Sequence, residues 1–440
     1  MAVNKLRYNF SESEDSTAVE GCEQSFYVSQ SLDRGVNASG VLNFSFPADP
    51  DCFTDTGATY MAIKLRVLRA DGTHLDSTDK VLLGSPGMAT LFKSCVVSLN
   101  GTALPPSNLY PYSARLVQLL GTPSRAQNGF WANMEMAGND FGIDLLTQHS
   151  ADYLLVQMAE VAGSKEVILY GRLFSDFMLT CAQLLPPGMK VDVSLTRSAD
   201  SFTLCAPPPA EGSPATDYKV ELESVTMYLK RMELGPKTLA LTKESLLGGG
   251  KLRYNRLSAD VQQIPSGSLV YRWNNIYNGG PLPHTVYVLL VKQVAFYGNL
   301  RALPVYLGSG HLRSFRLLNN GRDVLPEPYV FNLRYTSADM DTPDIRTSDA
   351  KAAIFGLGRV LGLANASSTP VVLDSQMFLA GSCILAAKLN TCGGRRVQPG
   401  SLDLELQFTA ANDDPDQRLM CLCFGEFDHT LSFSSNLNLF

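Results

Sequence analysis

The clearest order in this chain is a repeat of two. Met61, Ile63, Leu65 and Val67 alternate with Ala62, Lys64 and Arg66, the pattern of a strand with one buried and one wetter face. Val191, Val193 and Leu195 alternate with Asp192, Ser194 and Thr196, and Leu402, Leu404, Leu406 and Phe408 with Asp403, Glu405 and Gln407. Such strands belong to antiparallel sheets. In Val220, Leu222, Val225, Met227 and Leu229 the alternation slips at Ser224, which predicts a β-bulge that restores the inward face. Val286 to Val291 is apolar throughout, so both faces of that strand are expected to be covered. Helical patterns are few. Asn108 and Pro111 open one that places Tyr112, Leu116, Leu119 and Leu120 on one side. A second begins near Pro343 or Ser348 and carries Ala352, Ala353, Leu357, Val360 and Leu361, interrupted by Gly356, Gly358 and Gly362.

A proline-rich segment, 206–215, with Pro207, Pro208, Pro209 and Pro214, divides the 440 residues almost equally. Prolines lack the donor that a sheet requires. The reading is an N-terminal unit over 1–205, a linker over 206–216 and a C-terminal unit over 217–440. Each unit starts with strands, makes a helix-bearing excursion and closes with strong strands: 166–177 and 189–203 in the first, 402–408 and 419–427 in the second. The segment 121–165 reads as a surface excursion. The predicted fold class is all-β, two tandem jelly-roll sandwiches with short inserted helices and long loops. Lys-Leu-Arg-Tyr-Asn occurs at 5–9 and 251–255, at non-equivalent places in the halves, and is read as chance.

Composition narrows the function. Charged residues make up 18% of the chain, below the roughly one quarter of an average protein; this suits a subunit that buries much of its outside, and equally a β-rich protein with a Ser, Thr and Asn surface. The net charge of −6 argues against extensive direct nucleic-acid binding, which wants a basic face. Nine cysteines (Cys22, Cys52, Cys95, Cys181, Cys205, Cys383, Cys392, Cys421, Cys423) include no Cys-x-x-Cys pair. They predict reduced thiols, with Cys421 and Cys423 packing as small apolar groups. Residues 1–15 contain no apolar signal core and no stretch is long enough to span a bilayer. The expectation is therefore a soluble chain that is not exported, in which the Asn-x-Ser/Thr matches at Asn9, Asn37, Asn43, Asn100 and Asn365 are coincidental.

Catalytic chemistry finds no anchor: catalytic residues none, cofactor-binding residues none, metal ligands none. His74, His149, His284, His311 and His429 are spread out, without metal-ligand spacing. Ser309 stands near His311 in Gly308-Ser309-Gly310-His311, which reads as a turn entering a strand over 311–318 rather than a nucleophile site. Asp49, Asp51 and Asp55 lack the glycine and glutamate of a calcium loop. Asp413, Asp414 and Asp416 flank Pro415 in a hairpin turn, and Gly356-x-Gly358 follows no strand of a nucleotide-binding unit.

Several segments carry a resemblance. Val96-Val97-Ser98-Leu99-Asn100-Gly101 followed by Tyr110-Pro111-Tyr112-Ser113-Ala114, then Gly171-Arg172-Leu173 and the run from Val191 to Phe202, are similar to major capsid proteins of adintoviruses and Polinton (Maverick) elements. So are Tyr218-Lys219-Val220, Lys230-Arg231-Met232-Glu233-Leu234, Ile264-Pro265-Ser266-Gly267, Gly400-Ser401-Leu402-Asp403-Leu404-Glu405-Leu406 and Gly425-Glu426-Phe427-Asp428. The order and spacing over roughly residues 90 to 430 carry the likeness, with adenovirus hexon a more distant relative.

The resemblance implies a double jelly-roll hexon: a homotrimer forming pseudo-hexameric capsomers in an icosahedral shell around double-stranded DNA. It also implies neighbouring capsomers, penton and minor or cement proteins as partners, and assembly inside the host cell, in the nucleus. The alternative is a double-sandwich hydrolase of the peptide:N-glycosidase type, which needs acidic residues gathered where the barrels meet. A carbohydrate- or receptor-binding module is a third reading.

Overall fold

In the computed structural model, which describes residues 22–33, 40–76, 79–84, 87–120, 158–181, 183–207, 216–277, 281–308, 311–325, 329–331, 347–360, 378, 381–389, 400–409 and 418–439, two runs of strands build two sandwiches. The first run is β1 (Cys22–Asp33), β2 (Val41–Phe46), β3 (Cys52–Arg69), β4 (Leu82–Leu83), β5 (Phe92–Leu99), β6 (Thr102–Ala103), β7 (Val167–Arg172), β8 (Val191–Arg197), β9 (Leu204–Cys205) and β10 (Tyr218–Leu234). It forms sheets of order β1-β10-β3-β7 and β2-β8-β5-β6, with β4 and β9 paired beside them. The second run is β11 (Gly250–Gln263), β12 (Val270–Trp273), β13 (Thr285–Lys292), β14 (Leu312–Asn319), β15 (Arg322–Asp323), β16 (Tyr329–Val330), β17 (Ile384–Lys388), β18 (Leu402–Phe408) and β19 (Leu419–Phe433). Its sheets run β11-β19-β13-β17 and β12-β18-β14-β15, with β16 also on β14. With the β4-β9 pair set aside, and β15 and β16 sharing fifth place, both sandwiches have the same order by chain rank, 1-8-3-6 facing 2-7-4-5. That is the jelly roll, made twice.

The period-two runs are what hold each sandwich shut. Met61, Ile63, Leu65 and Val67 face Val193, Leu195, Phe44 and Val97 in the first core. The predicted bulge is present: the β10–β3 register shifts between Leu222 and Ser224, leaving Glu223 as the extra residue and returning Val225 to the core. In the second sandwich Val286, Val288 and Leu290 point inward with Cys421 and Cys423. Tyr287, Leu289 and Val291 point outward into a third core. Both faces are covered, as the unbroken apolar run requires. Helix α1 (Tyr110–Leu120) sends Tyr112 and Leu116 into this third core, and α2 (Thr347–Val360) sends Leu357. Gly356 lies where any side chain would strike the ring of Tyr329, so this glycine of α2 makes room for a close neighbour.

The pairing corrects the division drawn from the prolines. β10 lies beyond the proline-rich segment yet sits between β1 and β3, the eighth strand of the first sandwich. A cut at 206–216 therefore falls inside that sandwich, in the connection between its seventh and eighth strands. Residues 208–215 lie outside the described residues. The joint between the sandwiches is instead the helix Pro236–Ser245 and the turn Leu246–Gly248. Gly249 then takes a φ of +80°, where a β-carbon would collide with the Phe433 carbonyl. Two strand ends also move. The strand predicted over 166–177 stops at Arg172, and Asp176–Thr180 is a short helix; the one predicted over 189–203 ends at Arg197, before a helical turn at Asp200–Thr203.

Across the joint, β11 offers its outer edge to the first sandwich. Its backbone N–H groups at Leu257, Asn255 and Arg253 donate to Asp176 Oδ2, Thr180 Oγ1 and Gln183 Oε1, each at 2.9 Å. Phe177 meets Tyr254 edge-to-face at 5.3 Å, and Leu252, Tyr254 and Phe433 belong to the first core. At the other end of the contact, Tyr112 Oη donates to the Pro304 carbonyl at 2.9 Å and its ring stacks on Phe296 at 5.8 Å. The two sandwiches are thus one packed body in which free hinge motion is blocked.

Two consequences are measurable. Leu289→Ala empties a position of no exposure in the core shared by both sandwiches and should cost about 2–5 kcal/mol. Denaturant unfolding should show it as a lowered midpoint of a single transition rather than of one of two. Burial raises the Asp176 carboxyl from its ordinary 3.8 to about 6. A carboxyl raised on folding is bound to its proton more tightly in the folded state, so the stability it contributes is full below the unfolded pKa. That contribution is lost as pH rises through the folded value. Asp176→Asn keeps an acceptor for Leu257 N–H and removes the buried charge. The variant should therefore gain about 1–3 kcal/mol over the parent between pH 4 and pH 7.5, read as a pH-dependent difference in melting temperature.

Candidate functional site

The residues with chemical potential are dispersed and engaged. Asp49 pairs with Arg231 at 2.7 Å, Asp51 with Lys243 at 3.0 Å and Asp55 with Lys230 at 3.8 Å. Three carboxylates that faintly suggest a cation loop are each held by a different cation. His311 has a φ of +58° and opens the turn into β14, as the turn reading predicts; Ser309 lies outside the described residues, as do His149 and the aspartates at 413, 414 and 416. Cys421 and Cys423 are fully buried thiols, and burial pushes Cys423 up to about 12. They pack as apolar groups and are far from thiolate chemistry.

His284 and His429 both line a cleft of about 850 Å³ between β11 and the segment after β12, lined also by Arg256, Asp260, Trp273 and Tyr277. His284 Nδ1 lies 2.9 Å from Thr285 Oγ1, and Nε2 lies 3.7 Å from Asp428 Oδ1. Thr285 is only 3% exposed inside β13, so its hydroxyl cannot reach a substrate. Burial and the Arg256 charge lower the pKa of His429, and burial raises that of Asp260. Two acidic groups lie near each other beside β11, Asp176 and Glu426. Asp176 is spent on Leu257 N–H; Glu426 accepts from Asn255 Nδ2 at 2.9 Å and from Tyr287 Oη at 3.4 Å. Neither lines the cleft. Asp176 fastens the joint and Glu426 ties neighbouring strands of the second sandwich, so both carboxylates have structural partners.

The feature that sequence reasoning misses is a face. The outer side of sheet β11-β19-β13-β17 is apolar and covered within the chain. The equivalent side of sheet β1-β10-β3-β7 is partly exposed and carries one tyrosine from each strand: Tyr27, Tyr228, Tyr60 and Tyr170. Tyr60 stacks on Tyr228 at 4.6 Å and meets Tyr27 edge-on at 5.2 Å. Tyr27 and Tyr170 remain 47% and 42% exposed, and Ile168 beside them 43%. Partial burial raises the phenol pKa of Tyr27 and Tyr60, helped by Asp55 for the first and by the other tyrosines for the second. Lys64, Arg66, Glu166 and Glu223 form an ion-pair chain across the same face. Tyrosine joins an apolar ring to a polar tip, a chemistry suited to a surface that is wet before it is covered. Residues 27, 60, 170 and 228 share no local motif; only the strand register brings them together.

No known protein-family model and no curated protein matches the sequence. Solved structures do match the fold. The Sputnik virophage structure aligns with a TM-score of 0.63 at 12% identity, covering 98% of this chain and 91% of that one. The mavirus major capsid protein aligns at 0.52 with 11% identity, covering 94% and 89%, and the Faustovirus major capsid protein at 0.51 with 10% identity, covering 92% and 90%. At these identities the likeness is one of fold, and it extends over both sandwiches and the way they sit together. The chain is a double jelly roll.

Proposed function

We propose that this chain is a major capsid protein, the hexon-type building block of an icosahedral double-stranded DNA virus or virus-like element. The observation that carries the reading is the repetition: two sandwiches of the same strand order locked side by side by a shared core and a capped strand edge. A trimer of such chains offers six similar walls and tiles a hexagonal lattice, which a rigid pair can do and a hinged pair cannot. The fold likeness to the mavirus and Faustovirus major capsid proteins supports it. The resemblance of the segments quoted above to adintovirus and Polinton capsid proteins supports that type within the proposal, with adenovirus hexon more distant. The partners under this reading are two further copies, neighbouring capsomers, and penton and minor or cement proteins. The place of action is the virion, with assembly in the host nucleus. No described helix is long and apolar enough to cross a membrane.

The hydrolase reading asks for free carboxylates where the sandwiches meet, whereas Asp176 is bound across the joint and Glu426 is bonded to neighbouring strands of its own sheet. A shell protein without catalytic activity accounts for them better.

Light scattering of the purified chain should give three times the 47.9 kDa of one chain, and negative-stain images should show a pseudo-hexagonal outline. A stable monomer at every concentration tested, under native salt and pH, would sink the proposal. Release of glycan from a denatured glycoprotein, abolished by Glu426→Gln, would favour the hydrolase instead.

A further inference from the structure

Inside one chain, a face of the second sandwich is covered by a helix of the first. The covering helix α1 lies between the fifth and sixth strands of its sandwich, and the covered face is the outer side of the sheet of rank order 1-8-3-6. The duplication supplies the same two parts again, a helix after the fifth strand and the outer face of a sheet of that order. Helix α2 lies between the fifth and sixth strands of the second sandwich. It turns Ala353 into the core of its own sandwich and Leu357 into the third core, while Phe355, on the opposite side, is 64% exposed. In α1 the residues turned into its own core are Tyr110 and Ala114, and those reaching the other sandwich are Tyr112 and Leu116. Phe355 stands two residues after Ala353, as Tyr112 stands two after Tyr110. The partly exposed outer face of the first sandwich, with its tyrosine row, is the matching seat.

Resting on the capsid reading, we propose that the tyrosine row Tyr27–Tyr228–Tyr60–Tyr170 is the seat for the second sandwich of another copy, entered by Phe355 of its α2. The contact continues, between chains, the interface that the chain already makes within itself. It is head-to-tail: each copy gives one helix and one face, so the contact propagates around a ring. The chemistry of the two seats differs in the direction this predicts. The intrachain seat, covered as the chain folds, is built of Leu289, Val291, Leu422 and Phe424. The interchain seat must stay soluble until a partner arrives, and it is built of tyrosines, Ile168 and ion-paired Lys64 and Glu166. An aromatic knob on a tyrosine-rich seat is the composition of an energetic centre in an interface.

The test places a photoreactive p-benzoylphenylalanine at position 170 of the full chain and mixes it with isotope-labelled wild-type chain before irradiation. Mass spectrometry should find cross-links from 170 to the labelled chain in the tryptic segment 352–359, which contains Phe355. Phe355→Asp should raise the concentration needed for association at least tenfold and leave the melting temperature of the dissociated chain unchanged, since the side chain it replaces is exposed. Phe355→Ser guards against a folding defect from the new charge and should weaken association in the same direction. Oligomers that form with cross-links landing elsewhere, or with both Phe355 variants associating normally, would overturn the seat and leave the capsid reading standing. A chain that never associates would overturn both.

Discussion

The structure depends on how the free edge of β11 is closed. An edge strand presents a row of N–H and C=O groups that must be paired, solvated or covered. Outward donors on a strand recur every second residue, about 6.7 Å apart. A helix places residues four apart about 6 Å along its axis, on one side. Asp176 and Thr180 are four apart in one helix, and Gln183 follows just beyond it, so three acceptors fall in line with the donors of Leu257, Asn255 and Arg253, running antiparallel to the strand. A rigid-body rotation of one sandwich against the other would break all three bonds at once. Orientation is therefore set by spacing matched to spacing, with apolar burial around it.

Closing the edge this way also explains the chemistry at the joint. Half of β11 is fastened to the first sandwich, and a strand so occupied is no template for another chain. The carboxylate chosen for one of the three caps is held in a site that favours its protonated form, so its presence favours orientation over stability at neutral pH. Gly249 and Gly250 serve the same end: side chains there would collide with Phe433, whose strand β19 must run up against the joint.

Much of this was legible from the chain. Alternation located β3, β8, β10 and β18, the slip at Ser224 marked a bulge, and the unbroken run at 286–291 foretold β13 as a strand covered on both sides. What could not be read was partnership across distance. The prolines at 207–209 mark a loop truthfully, but a loop between strands of one sandwich looks the same in sequence as a loop between sandwiches. Only the pairing of β10 with β1 and β3 distinguishes them. In the same way Asp176, Thr180 and Gln183 are scattered polar residues at and beyond an expected strand end until β11 is laid beside them. The tyrosine row was illegible for a related reason, since four residues on four strands share a face only through register.

The contrast between the two outer faces is where sequence chemistry and assembly meet. Identical topology would allow identical surfaces, and the chain does not use them: one sheet carries Leu289, Val291, Leu422 and Phe424 outward, the other Tyr60, Tyr170, Tyr228 and Lys64. A purely apolar outer face on the first sandwich would leave a patch of the kind that drives indiscriminate association in a monomer awaiting partners. A fully charged one would resist being covered, because each buried ion must be paired and desolvated. Tyrosines flanked by ion pairs sit between these limits, wettable as a monomer and yet able to bury ring area when covered. Duplication supplied two equal walls, and the difference in their dressing separates the contact made during folding from the contact left for another molecule.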